Sequence, residues 1–380
     1  MPPKRPASTN KKAKPKSKKP KTTVGKAKNP NALHEAIKNN QVTIVKKLLE
    51  EGTNVDPKDE DGDTPLFKAV KDAKHLDIIK ELLKYGADPM AKEPEAGGYA
   101  IHLACGYLGQ KAARIEVVEE LLKHGADVNA KAYHGQQPLD LISCWVQVTD
   151  DTDEDLIAES VKFTKFLLEN GANVNANTKM KPTTALYWAV QRGNLPVVQE
   201  LLKNGADPNI SDLHGYTSLH RVCRKIDVAF PGIKEGPNNS KTPEMLAVLI
   251  DHGANVNAQD HKGKTPMHHF INDTKLLEKY LEKGGKNIDF KIKDKIGLTA
   301  LDSTMEKGKI VFPDAAKMIA RNMAKGALKR AQTKSKSRKE LEHQIFDQIE
   351  NFEREKQRGN DDPMAFLKLL LHPSSPLFGL

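Results

Sequence analysis

"KHGADVNAKAYHGQQPLDLISCW", Lys123 to Trp145, gathers His134, Asp140, Cys144 and Trp145 into one short stretch. His, Asp and Cys are the side chains of a nucleophile with its base and orienting acid, or of a metal site. They are equally the residues a repeated structural unit carries at fixed positions. Whether the stretch recurs along the chain decides between these readings.

It recurs. Its opening phrase returns as "GTNVD" at Gly52, "GADPM" at Gly86, "GADVN" at Gly125, "GANVN" at Gly171, "GADPN" at Gly205, "GANVN" at Gly253 and "GKNID" at Gly285. Most copies follow a segment such as "LDIIKELLKYG" or "LPVVQELLKNG". Paired aliphatics three and four residues apart put a wide apolar stripe on one helix face, and the glycine supplies the left-handed residue that ends the helix. A second signature follows each phrase: "DGDTPLFKAV" from Asp61, "HGQQPLDLIS" from His134, "HGYTSLHRVC" from His214, "KGKTPMHHFI" from Lys262. Thr-Pro there reads as a helix start, because Thr caps the exposed N–H groups and Pro lacks one to satisfy.

A turn–helix–helix unit with a Thr-Pro-Leu-His signature and a period of roughly 33 residues resembles the ankyrin repeat family. The resemblance covers about Pro30 to Arg330. It implies an all-α ankyrin-repeat solenoid of about seven to eight helix-turn-helix repeats with long insertions, and a general role in binding proteins. The chain divides accordingly into a disordered basic tail over 1–29, the repeat array over 30–330 and a helical C-terminal extension over 331–380. Insertions are expected between the two helices of their units, at "VQVTDDTDEDLIAES" after Trp145 and "KIDVAFPGIKEGPNNSKTP" after Arg224, on one edge of the array. The second carries Phe230-Pro231.

Aligned in this register, the residues of the opening stretch lose their catalytic look. Cys105 and Cys223 share a slot with Val190 and Ile271 and read as packing residues. His34, His102, His220 and His268 fill the fourth position of the signature, which in the family braces neighbouring loops; Asp140 stands in that slot. "DDTDED" at Asp150 lacks the glycine and the terminal acid of a calcium loop. With no phosphate loop, nucleophile elbow or Cys-x-x-Cys pair, the expectation is a non-enzymatic chain with no cofactor and no metal. Three scattered cysteines suit a reducing compartment, and no stretch has the apolar length to cross a bilayer.

Collecting the positions that in ankyrin proteins face the concave surface gives a graded groove. Glu60, Asp61, Asp63 and Asp72 make an acidic end. Tyr107, Tyr133, His134, Trp145, Arg192 and Tyr216 make an aromatic middle, and Arg224, Lys225, Lys262, Lys264 and Lys295 a basic end. Trp, Tyr and Arg are frequent interface anchors, while charged ends orient a partner. A protein partner is therefore expected in this groove.

The net charge of +10 is concentrated in the tail: residues 1–29 hold 11 Lys/Arg and no acid, so the rest of the chain is close to neutral. Lys4, Arg5, Lys11, Lys12, Lys14, Lys16, Lys18, Lys19 and Lys21 look like a nuclear-import signal, with an import adaptor as the expected partner. They also resemble lysine-rich linker-histone tails, which leaves nonspecific, salt-sensitive nucleic-acid binding as the alternative. Lys329-Arg330, with the "KSKSRK" cluster, reads as a second basic element. The helix carrying Lys317, Arg321 and Lys325 reads as a polar cap on the array. Beyond it, Leu341, Ile345, Ile349 and Phe352 pattern an acidic amphipathic helix. Basic leader, irregular repeats and apolar C-terminus together are similar in composition to ankyrin effectors of intracellular bacteria.

Overall fold

The computed structural model describes residues 31–71, 76–94, 97–106, 114–132, 135–177, 183–222, 240–306 and 309–331; for residues 114, 306, 309–310 and 324–331 it describes the backbone alone. The tail of 1–29, the second insertion with Phe230 and Pro231, and the extension beyond residue 331 lie outside the described residues.

Seven helix pairs follow one another: α1 Ala32–Lys38 with α2 Val42–Glu50, α3 Pro65–Lys71 with α4 Leu76–Lys84, α5 Ala100–Gly106 with α6 Arg114–Lys123, and α7 Pro138–Trp145 with α8 Glu154–Glu169. Then come α9 Ala185–Gln191 with α10 Leu195–Lys203, α11 Ser218–Arg221 with α12 Thr242–Asp251, and α13 Pro266–Phe270 with α14 Thr274–Gly284. The degenerate eighth unit opens with a 3-10 turn, Asp302–Thr304, passes through a minimal antiparallel ladder of β1 Met305–Glu306 on β2 Lys309–Ile310, and ends in α15 Pro313–Ala331. First helices pack on first helices from α1 to α13, second helices form the other layer, and α15 closes that layer against α14.

The doubled aliphatics explain the layering. In α4, Ile78, Ile79, Leu82 and Leu83 are all buried, and in α10 Val197, Val198, Leu201 and Leu202 are too. Two adjacent apolar columns let a second helix press on its own partner and on the next unit together. Each such side chain contributes about 1.5–3 kcal/mol, most of it available only when the neighbouring unit is present. Ala315, Ala316, Ile319 and Ala320 bury the inner side of α15, and Arg321 on the same helix is exposed.

The first insertion lies between the two helices of its unit. Its acidic residues have a local cause: the Asp153 carboxylate accepts the Asp155 N–H, with Glu154 and Asp155 in the first turn of α8. Negative charge is favourable at that end of a helix dipole. Asp150 Oδ1 accepts the Ser240 N–H at 2.8 Å, so this insertion touches Ser240, at the C-terminal end of the second one.

Candidate protein-binding surface

The turns between units are built from one device. Asp59, Asp212, Asp260 and Asp294 each direct Oδ1 at two backbone N–H groups, two and four residues on, at 2.8–3.1 Å. The glycine three residues after each aspartate has φ between 77° and 87°, which a side chain rarely adopts. At Gly215 and Gly263 a Cβ would also come within 2.9 Å of backbone nitrogen in the next turn, His261 and Lys295 respectively. Close approach is what permits the inter-turn hydrogen bonds His261 N–H to His214 C=O (2.8 Å) and Lys295 N–H to Lys262 C=O (2.9 Å).

The signature histidines tie each turn to the next. Nδ1 of His220 and of His268 accepts the N–H of its own capping residue, Thr217 or Thr265. Nε2 then reaches forward: His34 to the Asp63 carbonyl, His102 to Ala130 and Gln136, His220 to Lys264 and His268 to Leu298, all at 3.0–3.2 Å. Burial holds the imidazoles of His102 and His268 below the usual histidine range, and that of His220 at about 4, with His269 adding repulsion. These are braces, as the register predicts.

Asp140 fills the same slot and does half the work. Its Oδ2 accepts the Gln137 N–H at 2.9 Å, which caps α7, but a carboxylate has no second nitrogen to reach forward. At 3 % exposure the carboxyl is pushed up to about 7 by desolvation. Cys144, one turn along, has its thiol raised by burial despite the nearby Arg192 guanidinium. A raised thiol is a poor nucleophile, so Cys144 is not activated.

In the middle of the array the brace becomes a buried network. Tyr187 takes the histidine slot and donates its hydroxyl to Asp212 Oδ2 at 3.0 Å. Arg221 Nη2 reaches the same oxygen at 2.8 Å, and its guanidinium lies 4.8 Å from the Tyr187 ring centroid and 5.1 Å from that of Tyr216. Next to it, His269 Nε2 bonds Asp260 Oδ2 at 3.0 Å.

The expected contact residues separate on this geometry. Trp145 is half-buried at the end of α7 and packs against the core. Arg192 is half-buried and held by the first insertion: its carbonyl accepts the Val148 N–H at 2.8 Å, and Nη1 donates to Gln147 at 3.3 Å. Lys262 is exposed and Lys264 half-exposed. Tyr216 is a correction. It is 2 % exposed, sealed under His220, His269 and Arg221, because its ring packs on these groups. Asp63, at the equivalent position of the first turn, is buried too. Tyr107, Tyr133, His134, Arg224, Lys225 and Asp72 lie outside the described residues, as do Lys4, Arg5, Lys11, Lys12, Lys14, Lys16, Lys18, Lys19 and Lys21. Lys329 and Arg330 are on α15, where the backbone alone is described.

A row the spacing also encodes was missed: the residue directly after the histidine slot. It runs Lys68, Leu103, Leu141, Trp188, Arg221 and His269, half-buried except for the sealed Arg221. Trp188 meets the Tyr187 ring edge-on at 5.8 Å. Extending the register by one residue would have found it.

One acidic cluster resembles a cation site. Carboxylate oxygens of Asp59, Asp61 and Asp63 lie within 4.8 Å of one another. Lys68 already pairs with two of them, Asp59 at 2.5 Å and Asp61 at 3.3 Å, and the Asp59 contacts are those of the turn device. Lys68 offsets one of the three carboxylate charges, and Asp59 Oδ1 is already spent on the turn.

A family model described as Ankyrin repeats (3 copies) matches residues 14–93, 33–132 and 156–229, about half of the chain. The chain belongs to the ankyrin-repeat family. Among curated proteins it is similar to palmitoyltransferase ZDHHC13 of Homo sapiens, 37% identical over 192 residues, which is 50% of this chain and 28% of that protein. Palmitoyltransferase ZDHHC17 of Homo sapiens is 34% identical over 201 residues, 53% of this chain and 29% of that protein. The chain thus spans less than a third of the length of these relatives. Among solved structures, the ankyrin repeat domain of Bcl-3 matches with a TM-score of 0.49 and 23% identity, over 65% of this chain and 96% of that one. Ankyrin repeats of this kind form protein–protein interaction scaffolds. None of the described helices is long and apolar enough to cross a membrane.

Proposed function

We propose that this chain is a non-enzymatic ankyrin scaffold that holds a protein partner on its first-helix face and inter-unit turns, and that its basic tail directs it to the nucleus through an import adaptor. The observation that carries the binding role is the half-buried row through Leu103, Leu141 and Trp188, whose last member packs on Tyr187 of the buried Tyr187–Asp212–Arg221 network. Apolar and aromatic side chains already fixed by packing lose little freedom on binding, which lowers the cost of association. Support for binding rather than catalysis comes from the four signature histidines and Asp140, which are engaged in capping and bracing. The curated relatives are palmitoyltransferases, but the similarity falls on about half of this chain and under a third of theirs. Acyl transfer is not part of this reading.

Affinity capture from nuclease-treated lysate, comparing the intact chain with Trp188→Ala and with Arg192→Ala, tests it. A protein that survives nuclease and is lost with Trp188→Ala supports the scaffold. The 11 cations of residues 1–29 favour a second reading, binding to nucleic-acid phosphate. Capture that disappears with nuclease and ignores both substitutions would replace the first reading with this one.

A further inference from the structure

The turns at 260–264 and 294–298 differ from the turn at 59–63 in how their charges are placed. In the earlier turn, Lys68 folds back onto Asp59 and Asp61. In the later two, the acids face inward: Asp260 is 4 % exposed and Asp294 7 %, each spent on backbone N–H groups, Asp260 on His269 as well. Lys262, Lys293 and Lys295 are exposed and Lys264 is half-exposed, and the described residues give none of the four an ion pair. Four ammonium groups against two buried carboxylates, on and beside two turns hydrogen-bonded to each other, leave a net positive surface.

That surface is also apolar. Ile296, between Lys295 and Gly297, is 77 % exposed, and Leu298 is 37 % exposed. Leu213, on the preceding described turn, is 50 % exposed. A single exposed aliphatic is ordinary, but Ile296 and Leu298 stand two residues apart on one turn, an apolar spot next to Lys293 and Lys295 in the chain. We propose that the 260–264 and 294–298 turns bind an acidic, amphipathic peptide segment of a partner protein. Its carboxylates meet the lysines, and an apolar side chain packs on Ile296 and Leu298. Desolvation around the aliphatic contact strengthens the neighbouring ion pairs relative to open surface pairs. The mixed character separates this from phosphate recognition. A nucleic-acid backbone offers no apolar side chain to Ile296 or Leu298.

The inference rests on the scaffold reading and names the partner's chemistry. The test is fluorescence anisotropy on the full chain with three labelled probes: a (Glu-Leu-Asp)5 peptide, its Leu-to-Ser counterpart, and a 15-nucleotide single-stranded DNA. The expected result is that the leucine peptide binds tightest and that Lys262→Glu with Lys295→Glu weakens it about tenfold or more, as loss of complementary charge does. Ile296→Ser, at a position too exposed to affect folding, removes most of the preference for leucine over serine peptide. Unchanged affinity in every variant would mean that the tail of 1–29 captures the probes, and the proposal falls. Equal or tighter binding of DNA, lost on Lys262→Glu with Lys295→Glu, would assign the surface to phosphate and overturn it too. If these variants fail while Trp188→Ala still abolishes partner capture, only this inference is lost and the scaffold stands.

Discussion

The first and last thirds of the array tie their units together by different chemistry along the same edge. Asn175 is the complete form: its Nδ2 donates to the Gly205 carbonyl at 2.9 Å and its Oδ1 accepts the Asp207 N–H at 2.7 Å. Asn129, Asn209 and Asn257 repeat this, each bonding forward in both directions. In the first units the slot holds Asp56 and Met90. Asp56 only accepts, from the Asp88 N–H at 3.2 and 3.4 Å, and burial with the facing Asp88 raises its carboxyl above the ordinary range. Met90 offers a sulfur at 3.4 Å to the Asp127 N–H. Since a solenoid's stability sums unit and interface terms, opening should begin at the N-terminal units and stop where the two-way bonds and the buried network begin.

The strongest way to break this contrast is to remove the centre of the network. Asp212→Ala leaves the Arg221 guanidinium, whose side chain is 6 % exposed, without its carboxylate, and leaves the turn without its double acceptor. The expected cost is about 3–5 kcal/mol, the range for one partner removed from a buried pair. Hydrogen exchange should then show the middle units opening as readily as the first ones. A loss confined to less than 1 kcal/mol, on the order expected of an exposed pair, would mean that the network does not hold the array together.

Acid should reverse the contrast next. His220 is neutral in the folded array with an imidazole at about 4, while the unfolded chain takes up a proton near 6.5. Its contribution is therefore complete above about pH 6.5 and is lost as pH falls toward 4, on the order of 3 kcal/mol, with His102 and His268 adding in the same direction. Asp140 acts oppositely. Its carboxyl at about 7 is neutral in the fold and ionised in the unfolded chain, so its unit gains stability as pH falls from 7 toward 4. From pH 7 to pH 4.5 the His220 loss and the Asp140 gain are of the same order and largely offset one another in the parent chain. Asp140→Asn removes the opposing gain, so denaturation of that variant should show destabilisation as pH falls from 7 to 4.5, and a flat profile in the variant would refute the brace assignment.

What the sequence disclosed divides along the same physical line. Positions fixed by backbone register were legible: the helix pairs, the glycine turns, Cys105 and Val190 in one packing slot, and four bracing histidines. Which face of a turn residue meets solvent was not. Tyr216 and Lys264 share one position, yet the first is sealed and the second half-exposed, because an aromatic ring finds Arg221 and His269 to pack on and an ammonium group does not. Trp188 was passed over because the contact positions were counted from the end of the first helix. Arg192 was found, but its capture by Gln147 and Val148 depends on how an inserted loop folds back, which no repeat register contains.

A smaller effect separates the two ends of the edge directly. Asn209→Ala deletes a donor to the Gly253 carbonyl and an acceptor for the Asn255 N–H, at 3.0 and 2.7 Å. At about 1 kcal/mol for each hydrogen bond, the loss should be about 1–2 kcal/mol. Asp56→Ala removes a strained acceptor and a repulsion together, so it should cost no more than about 0.5 kcal/mol. Equal losses from the two substitutions in chemical denaturation would erase the contrast.

The least of these effects sharpens it, by converting the weak end into the strong form. Asp56→Asn keeps an oxygen for the Asp88 N–H, removes the charge that faces Asp88, and supplies the amide donor that Asn129 uses on Gly171. The chain at Gly86 has the same left-handed turn as at Gly171, with φ of 89° and 87°, so its carbonyl stands in equivalent register. A gain of about 0.5–1 kcal/mol is expected, since one net hydrogen bond is added at a largely exposed edge. Because the like-charge term disappears too, the gain should be larger at pH 7 than at pH 4, where Asp56 is already partly protonated in the parent. Hydrogen exchange in the first two units should slow at neutral pH while the last three stay unchanged. A uniform shift across all units would show that the array opens as one body, and the difference between its two ends would then have no energetic meaning.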